Sequence, residues 1–181
     1  MSDKMDGYQG RSAMHKTERE FMLTVLPEQG NVLEIGTLDG ATCAYWADRR
    51  PGANFLSVDP FRKGEGTGAG VAELWDANGN GRQNMNLFHG TLKELDRYVR
   101  RELFDFVLVD GDHSHDACLA DCRRVAWLLK EDGTLCVHDY GRWELDHLKG
   151  VGEAVEEFIA ETDFELVEVF RTTAVLRRAE A

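Results

Sequence analysis

Nowhere in its 181 residues is the chain apolar for long enough to cross a bilayer. The opening stretch, Met1 to Arg19, is polar and charged and has no apolar core of a secretion signal. Location in the cytoplasm is therefore expected. Basic charge is scarce: 21 Lys and Arg stand against 33 Asp and Glu, a formal net charge of −12. That balance argues against nonspecific binding of DNA or RNA and against anionic membranes. Apart from Arg62-Lys63, basic residues adjoin only as the arginine pairs Arg49-Arg50, Arg100-Arg101, Arg123-Arg124 and Arg177-Arg178. The four cysteines, Cys43, Cys118, Cys122 and Cys136, contain no C-x-x-C pair and imply no disulfide framework. Cys118 and Cys122 share a helix face with Val125 and Leu129 and read as small buried thiols. There are no internal repeats.

What is present is the composition of an ordinary globular protein, 43% hydrophobic and 30% charged. The length suits one domain, 17–181, after a mobile lead-in at 1–16. Thr17-Glu18-Arg19-Glu20 has a capping-box pattern and opens a helix that Pro27 and Gly30 close. Strands are expected at Val32–Ile35, Asn54–Val58, Asn86–His89, Phe104–Val109 and Gly133–Val137. Helices are expected at Ala41–Arg49, Val71–Ala77, from Gly90-Thr91 to about Arg101, Ser114–Lys130 and Gly150–Glu161. Phe164–Phe170 and Thr172–Leu176 close the chain as an antiparallel pair. Gly64, Gly66, Gly68 and Gly70 mark a flexible loop or lid. Asp76-x-Asn78-x-Asn80-Gly81 begins like a calcium loop, but Leu87 stands where a bidentate Glu is required, so this reads as a turn. Strands alternating with helices predict an α/β fold, a doubly wound and mostly parallel sheet whose carboxyl edge binds ligands.

The pattern centres on Val32-Leu33-Glu34-Ile35-Gly36-Thr37-Leu38-Asp39-Gly40, a buried strand, a glycine turn and a helix start. A dinucleotide fold wants G-x-G-x-x-G with a pyrophosphate on the helix dipole. Here the spacing is Glu34-x-Gly36-x-x-x-Gly40, and a carboxylate suits a cationic amine better than a phosphate. This resembles motif I of the class I S-adenosylmethionine (SAM) methyltransferases, in which the turn holds the amino-acid end of SAM. The resemblance covers about Asn31 to Arg178 and implies seven strands, the last antiparallel. Asp59, twenty-five residues after Glu34, can accept hydrogen bonds from both ribose hydroxyls, or it can cap the turn before Pro60. Gly90-Thr91 is similar to the family's adenine-side segment, although helix capping by Thr91 explains it equally well. The resemblance thus implies cofactor contacts from Glu34, Gly36, Thr37, Gly40, Asp59, Gly90, Thr91 and Asp110.

Two further strand ends carry chemistry. Asp110-Gly111-Asp112-His113-Ser114-His115-Asp116 follows the fourth strand, and His138-Asp139-Tyr140 follows the fifth. Such a histidine–carboxylate cluster can bind a divalent cation or move protons. These runs, with Gly150-Val151-Gly152-Glu153-Ala154-Val155, resemble a small bacterial branch grouped with macrolide-sugar and cephalosporin-pathway enzymes. More distantly the layout is similar to catechol O-methyltransferase, whose metal ligands fall by position on Asp110, His138 and Asp139. His138 departs from that pattern and favours a softer ion than Mg2+, or no metal. His113 falls where that enzyme has a basic lysine, and an imidazole of near-neutral pKa suits a general base. Asp112 or Ser114 can cap the next helix, with His115 and Asp116 as surface residues of its first turn. Trp75, Trp143 and Tyr140 are candidates for an acceptor pocket or for simple packing.

The expected activity is O-methylation of a small hydroxylated molecule by SAM, with His113 as base and Asp110 orienting the hydroxyl, and Mg2+ or another divalent cation as an optional aid. A SAM-binding sensor or accessory protein is the alternative. Base N-methylation wants an acidic or Asn-Pro-Pro-aromatic segment where Asp110-Gly111-Asp112-His113 stands, and cytosine C5 chemistry wants a Pro-Cys pair that is missing. Association, if any, is expected as a homodimer.

Overall fold

In the computed structural model, residues 3–4, 7–12, 14–61, 71–142 and 144–179 are described. The glycine run from Gly64 to Gly70 and Trp143 lie outside them. The chain divides into two compact units, Met1–Thr91 and Leu92–Ala181.

In the first unit, β1 (Asp3–Lys4) and β2 (Arg11–Ser12) form a short antiparallel pair. Then come α1 (Lys16–Val25), β3 (Gln29–Ile35), α2 (Ala41–Arg49), β4 (Gly52–Asp59), α3 (Val71–Gly79) and β5 (Met85–His89). The strand order is β5-β4-β3, all parallel, with Leu33 opposite Leu56 and Phe55 opposite Met85. Strand β4 lies between β5 and β3, and Val32, Leu33, Phe55 and Val58 of β3 and β4 are buried. Helix α2 buries the small residues Ala41, Cys43, Ala44 and Ala47 together with the large Trp46. The cap of α1 differs from expectation. His15, not Thr17, is the N-cap; its ring accepts from the Thr17 amide, and the Glu18 side chain accepts from the His15 amide. The lead-in is also tied down where it is described. Met14 and Ser12 are buried, and the Gln9 backbone exchanges two 2.8 Å hydrogen bonds with the Asn78 side chain. Asn78 and its neighbours, read from sequence as a turn, belong to α3, and the chain turns only after Gly79.

The second unit contains α4 (Leu92–Leu95), β6 (Phe104–Val109), α5 (His115–Leu128), β7 (Leu129–Val137), α6 (Lys149–Glu161), β8 (Phe164–Phe170) and β9 (Thr173–Arg178). Strands β6 and β7 are parallel; β9 runs antiparallel between β7 and β8. Helix α5 buries Cys118, Leu119, Cys122, Val125 and Leu128; Cys118, Cys122 and Val125 share the face expected from spacing, whereas Leu129, expected on the same face, caps the helix and begins β7. Helix α4 is far shorter than the predicted run to Arg101. Its apolar face ends at Leu95, and Tyr98 N to Leu95 O is an i→i−3 bond that tightens the chain out of the helix. Strands β3 to β9 make up a seven-stranded, mostly parallel mixed sheet, the doubly wound class expected. No helix among the described residues is long and apolar enough to cross a membrane.

Candidate active site

The first unit supplies a turn built around buried acids. Glu34, near the end of β3, is 3% exposed, and its carboxylate accepts from Ser57 Oγ on β4 at 2.8 Å. Gly36 (φ +85°), Leu38 (φ +52°) and Gly40 (φ +74°) all take left-handed backbone conformations, so the chain reverses sharply before α2. The turn is closed by its own amides. Gly36 N donates to Val58 O at 2.9 Å, Gly40 N to Thr37 O at 2.9 Å, and Ala41 N to Asp39 Oδ1 at 3.0 Å. Asp59, at the end of β4, accepts from Leu38 N at 3.1 Å and Phe61 N at 2.7 Å. Its capping role is therefore real, and each oxygen keeps a second lone pair for a ligand. Gly90 comes to the same strand end, its N–H donating to Asp59 O at 3.0 Å.

Helix α3 contributes two residues that spacing did not single out for this turn. Asn78 Nδ2 donates to Asp39 O at 2.8 Å as well as to Gln9 O. Trp75 packs on Gly40 so closely that a Cβ there would meet its Cδ1 at 2.5 Å. Their separation of three residues marks one helix face, but no sequence signal says which turn that face meets. Asp39 was legible in principle, as an acid immediately before a helix start.

The second unit supplies the ionic cluster. His138 N–H donates to Val109 O at 3.0 Å, which holds the ends of β6 and β7 level. Asp139 then takes φ +61°, a conformation Asp tolerates better than most residues, and Gly141 follows at +77°. His138 Nδ1 lies 3.2 Å from Asp110 Oδ1 and 3.5 Å from Asp139 Oδ2. His113 Nε2 lies 3.3 Å from Asp139 Oδ2 and 3.9 Å from Asp110 Oδ1. His138 is 6% exposed, whereas the His113 side chain is 39% exposed and so forms the accessible side of the cluster. Gly150, in the first turn of α6, sits where a Cβ would come within 2.6 Å of His115 N and 3.0 Å of His113 O. Only glycine lets α6 lie against the backbone that carries His113.

Charge follows from this geometry. Asp110 and then Asp139 draw a proton onto His113 and raise its pKa from 6.5 to about 10. Burial pushes Asp139 up, but His113 and His138 outweigh it and hold the carboxylate well below its usual range. Asp110 is lowered too: burial opposes ionisation, and the His138 charge overcomes it only together with the contacts from His113 and His138. An imidazolium at neutral pH is not the near-neutral base that the sequence suggests. Asp110, His113 and Asp139 bring one ligand atom each within 4.8 Å of one another, a mixed oxygen and nitrogen set that fits a divalent cation. His113, assigned from sequence to proton transfer, thus joins the set of possible ligands, with His138 behind it.

The other edge residues are plain. Asp112 accepts from Ser114 N at 2.9 Å at the start of α5. His115 contacts Asp116 at 2.9 Å and Glu157 at 3.1 Å. All four cysteines are free and buried. Burial raises the thiols of Cys43 and Cys136, and Cys122 is raised by its bond with Cys118 and by burial, which leaves them inert.

Residues 33–140 match the family model described as a methyltransferase domain. No curated protein matches the chain in sequence. Among solved structures, it is similar to a caffeoyl-CoA O-methyltransferase-like protein from Staphylococcus aureus, with a TM-score of 0.73, 13% identity, and 93% of this chain and 86% of that one covered. It is also similar to an O-methyltransferase from Bacillus cereus solved with S-adenosylhomocysteine (SAH), with a TM-score of 0.69, 16% identity, and 91% and 82% covered. CalS11, the TDP-rhamnose 3'-O-methyltransferase of calicheamicin biosynthesis, gives a TM-score of 0.63 at 16% identity, with 89% and 78% covered. These likenesses show the fold, and the family match, which runs through both units and takes in the Glu34 turn and the acid–histidine cluster, shows that the chain belongs to the class I SAM-dependent methyltransferases.

Proposed function

We propose that the protein transfers the SAM methyl group to a hydroxyl oxygen of a small molecule. The observation that carries this reading is the cluster of Asp110, His113, His138 and Asp139, a proton-handling group that a passive SAM-binding protein has no use for. The net charge of −12 favours a small acceptor over nucleic acid. Residues 17–181 act as one methyltransferase domain, in keeping with a family match that is continuous from 33 to 140. The free, buried cysteines suit a reducing cytoplasm.

In this reading Glu34 pairs with the ammonium of SAM, the turn from Gly36 through Thr37 to Gly40 accommodates its amino-acid end, and Asp59 takes the ribose hydroxyls. Gly90 and Thr91 border the adenine side. The sulfonium methyl is already electrophilic, so the chain must align the acceptor and remove its proton. Asp110 orients the hydroxyl. His113 takes the proton, and to do so it must first give up the one that Asp110 and Asp139 hold on it. Asp110, Asp139 and one imidazole, from His113 or His138, would hold a divalent cation. Bound there, such an ion would neutralise the carboxylates and polarise the acceptor oxygen. The nitrogen donor favours a softer ion such as Mn2+ or Co2+ over Mg2+.

The test is SAH release with methyl-labelled SAM and a panel of catechols, sugars, polyketides and small hydroxy acids, with and without Mn2+ or Mg2+. Label appearing on an acceptor oxygen supports the reading. SAM binding with no label transfer to any acceptor favours the SAM-binding sensor instead.

A further inference from the structure

We infer that Trp75 is a cofactor-recognition residue, its indole N–H, together with the Thr37 hydroxyl, binding the carboxylate of the methionyl end of SAM. The inference rests on the reading that SAM occupies the Glu34 turn, and adds to it a residue from another element.

The argument begins with which donors of that turn are already engaged. The ammonium and carboxylate of SAM need opposite partners, and Glu34 suits only the first. The common expectation for the second is the backbone amides of the turn. Here four of the six between Gly36 and Ala41, those of Gly36, Leu38, Gly40 and Ala41, donate within the chain, to Val58 O, Asp59 Oδ2, Thr37 O and Asp39 Oδ1. Two side-chain donors at the turn stand beside the amides that are left. Thr37 Oγ1 and Trp75 Nε1 are both buried and have no hydrogen-bond partner among the described residues. Thr37 is 5% exposed and Trp75 6%.

A buried indole N–H without an acceptor is costly, and tryptophan is normally placed so that this group is satisfied. Trp46, in the same unit, shows the normal case: its Nε1 donates to Arg19 O at 3.0 Å. Trp75 instead turns its pyrrole edge toward the turn, since a Cβ on Gly40 would lie 2.5 Å from Cδ1 and 2.9 Å from Nε1. Asn78, one turn later on α3, bonds Asp39 O and fixes the helix at that distance. One unsatisfied donor therefore lies in the turn and the other is packed against Gly40, three residues on, and an anion is what an N–H and an O–H without acceptors recognise.

The experiment is calorimetry with SAM and with decarboxylated SAM, which differs only by the carboxylate, on the wild type, Trp75→Phe and Thr37→Val. Each variant removes one hydrogen bond to a charged group and keeps most of the side-chain volume. Each should weaken SAM by about ten- to a hundredfold and leave decarboxylated SAM within about twofold. If Trp75→Phe binds SAM like the wild type, or loses both ligands equally, the inference is wrong. A second measurement needs no variant: the Trp75 indole N–H resonance of 15N-labelled wild type should move downfield with SAM and stay in place with decarboxylated SAM. An unmoved resonance with bound SAM also overturns the inference. If the folded wild type binds neither ligand, it is the SAM reading of the turn that fails, and this inference falls with it.

Discussion

The Glu34 turn and the Asp110–His113–His138–Asp139 cluster are both built at strand ends, yet by different means. The turn is backbone-made. Left-handed residues at 36, 38 and 40 set its shape, and its acids are held by amides and a hydroxyl: Asp59 by Leu38 and Phe61, Asp39 by Ala41, Glu34 by Ser57. The cluster is charge-made. Its carboxylates face imidazoles at 3.2 to 3.9 Å; Asp110 and Asp139 hold the proton on His113, and the imidazoles in turn hold Asp110 and Asp139 below the usual carboxylate range. A backbone-made site keeps its shape whatever is bound. A charge-made site changes protonation whenever a charge enters or leaves, which suits binding to the first and proton transfer to the second.

The largest expected effect separates the two by chemistry. His113→Gln should lower kcat by about 10²- to 10⁴-fold, the usual worth of a general base, with SAM affinity within about twofold. A loss of SAM binding in that variant would merge the two sites and break the distinction. Next, Glu34→Gln should weaken SAM by about ten- to a hundredfold while saturated turnover stays within about threefold, as expected for a lost charge-assisted hydrogen bond. Equal losses in turnover and affinity would mean that Glu34 acts in the transition state as well.

Stability sharpens the same contrast. Gly40→Ala combines φ +74° with a Cβ at 2.5 Å from Trp75, and should cost about 2–4 kcal/mol. Gly81→Ala has a similar φ of +81° but open space, and should cost about 1–2 kcal/mol. Thermal melts that rank the two equally would refute close packing of Trp75 on the turn. The smallest effect is a titration. His113 should stay protonated through neutral pH, with an NMR midpoint near 10, and Asp139→Asn should lower that midpoint. Because its folded pKa lies above the unfolded value of 6.5, its contribution to stability is complete below pH 6.5 and fades as pH rises toward 10. A midpoint near 6.5 in the folded protein would contradict the charge-made cluster.

The same contrast explains what the sequence disclosed. A backbone-made turn leaves glycines at fixed offsets, so Glu34, Gly36 and Gly40 were readable, as were the strands around them. The antiparallel β9 between β7 and β8 followed from the family resemblance and from two adjacent apolar runs. Asp110, His113, His138 and Asp139 were readable as strand-end residues, but their pKa values depend on distances across β6 and β7 that no spacing encodes. Hence His113 read as a near-neutral imidazole, while two facing carboxylates make it an imidazolium. Trp75 and Asn78 were hidden for a related reason. Helical periodicity gives a face, and the docking of that face on Asp39 and Gly40 is tertiary. The early end of α4 was missed because Tyr98 and the following arginines continue a helix-compatible composition after the apolar face has stopped.

The most direct test of the account is a calorimetric titration of the purified, folded protein with SAH. Binding at one site per chain, with a Kd on the order of micromolar or tighter, is the result the Glu34 turn predicts. No binding heat at several temperatures, with the fold confirmed by circular dichroism, would contradict it and leave the acid–histidine cluster without a methyl donor.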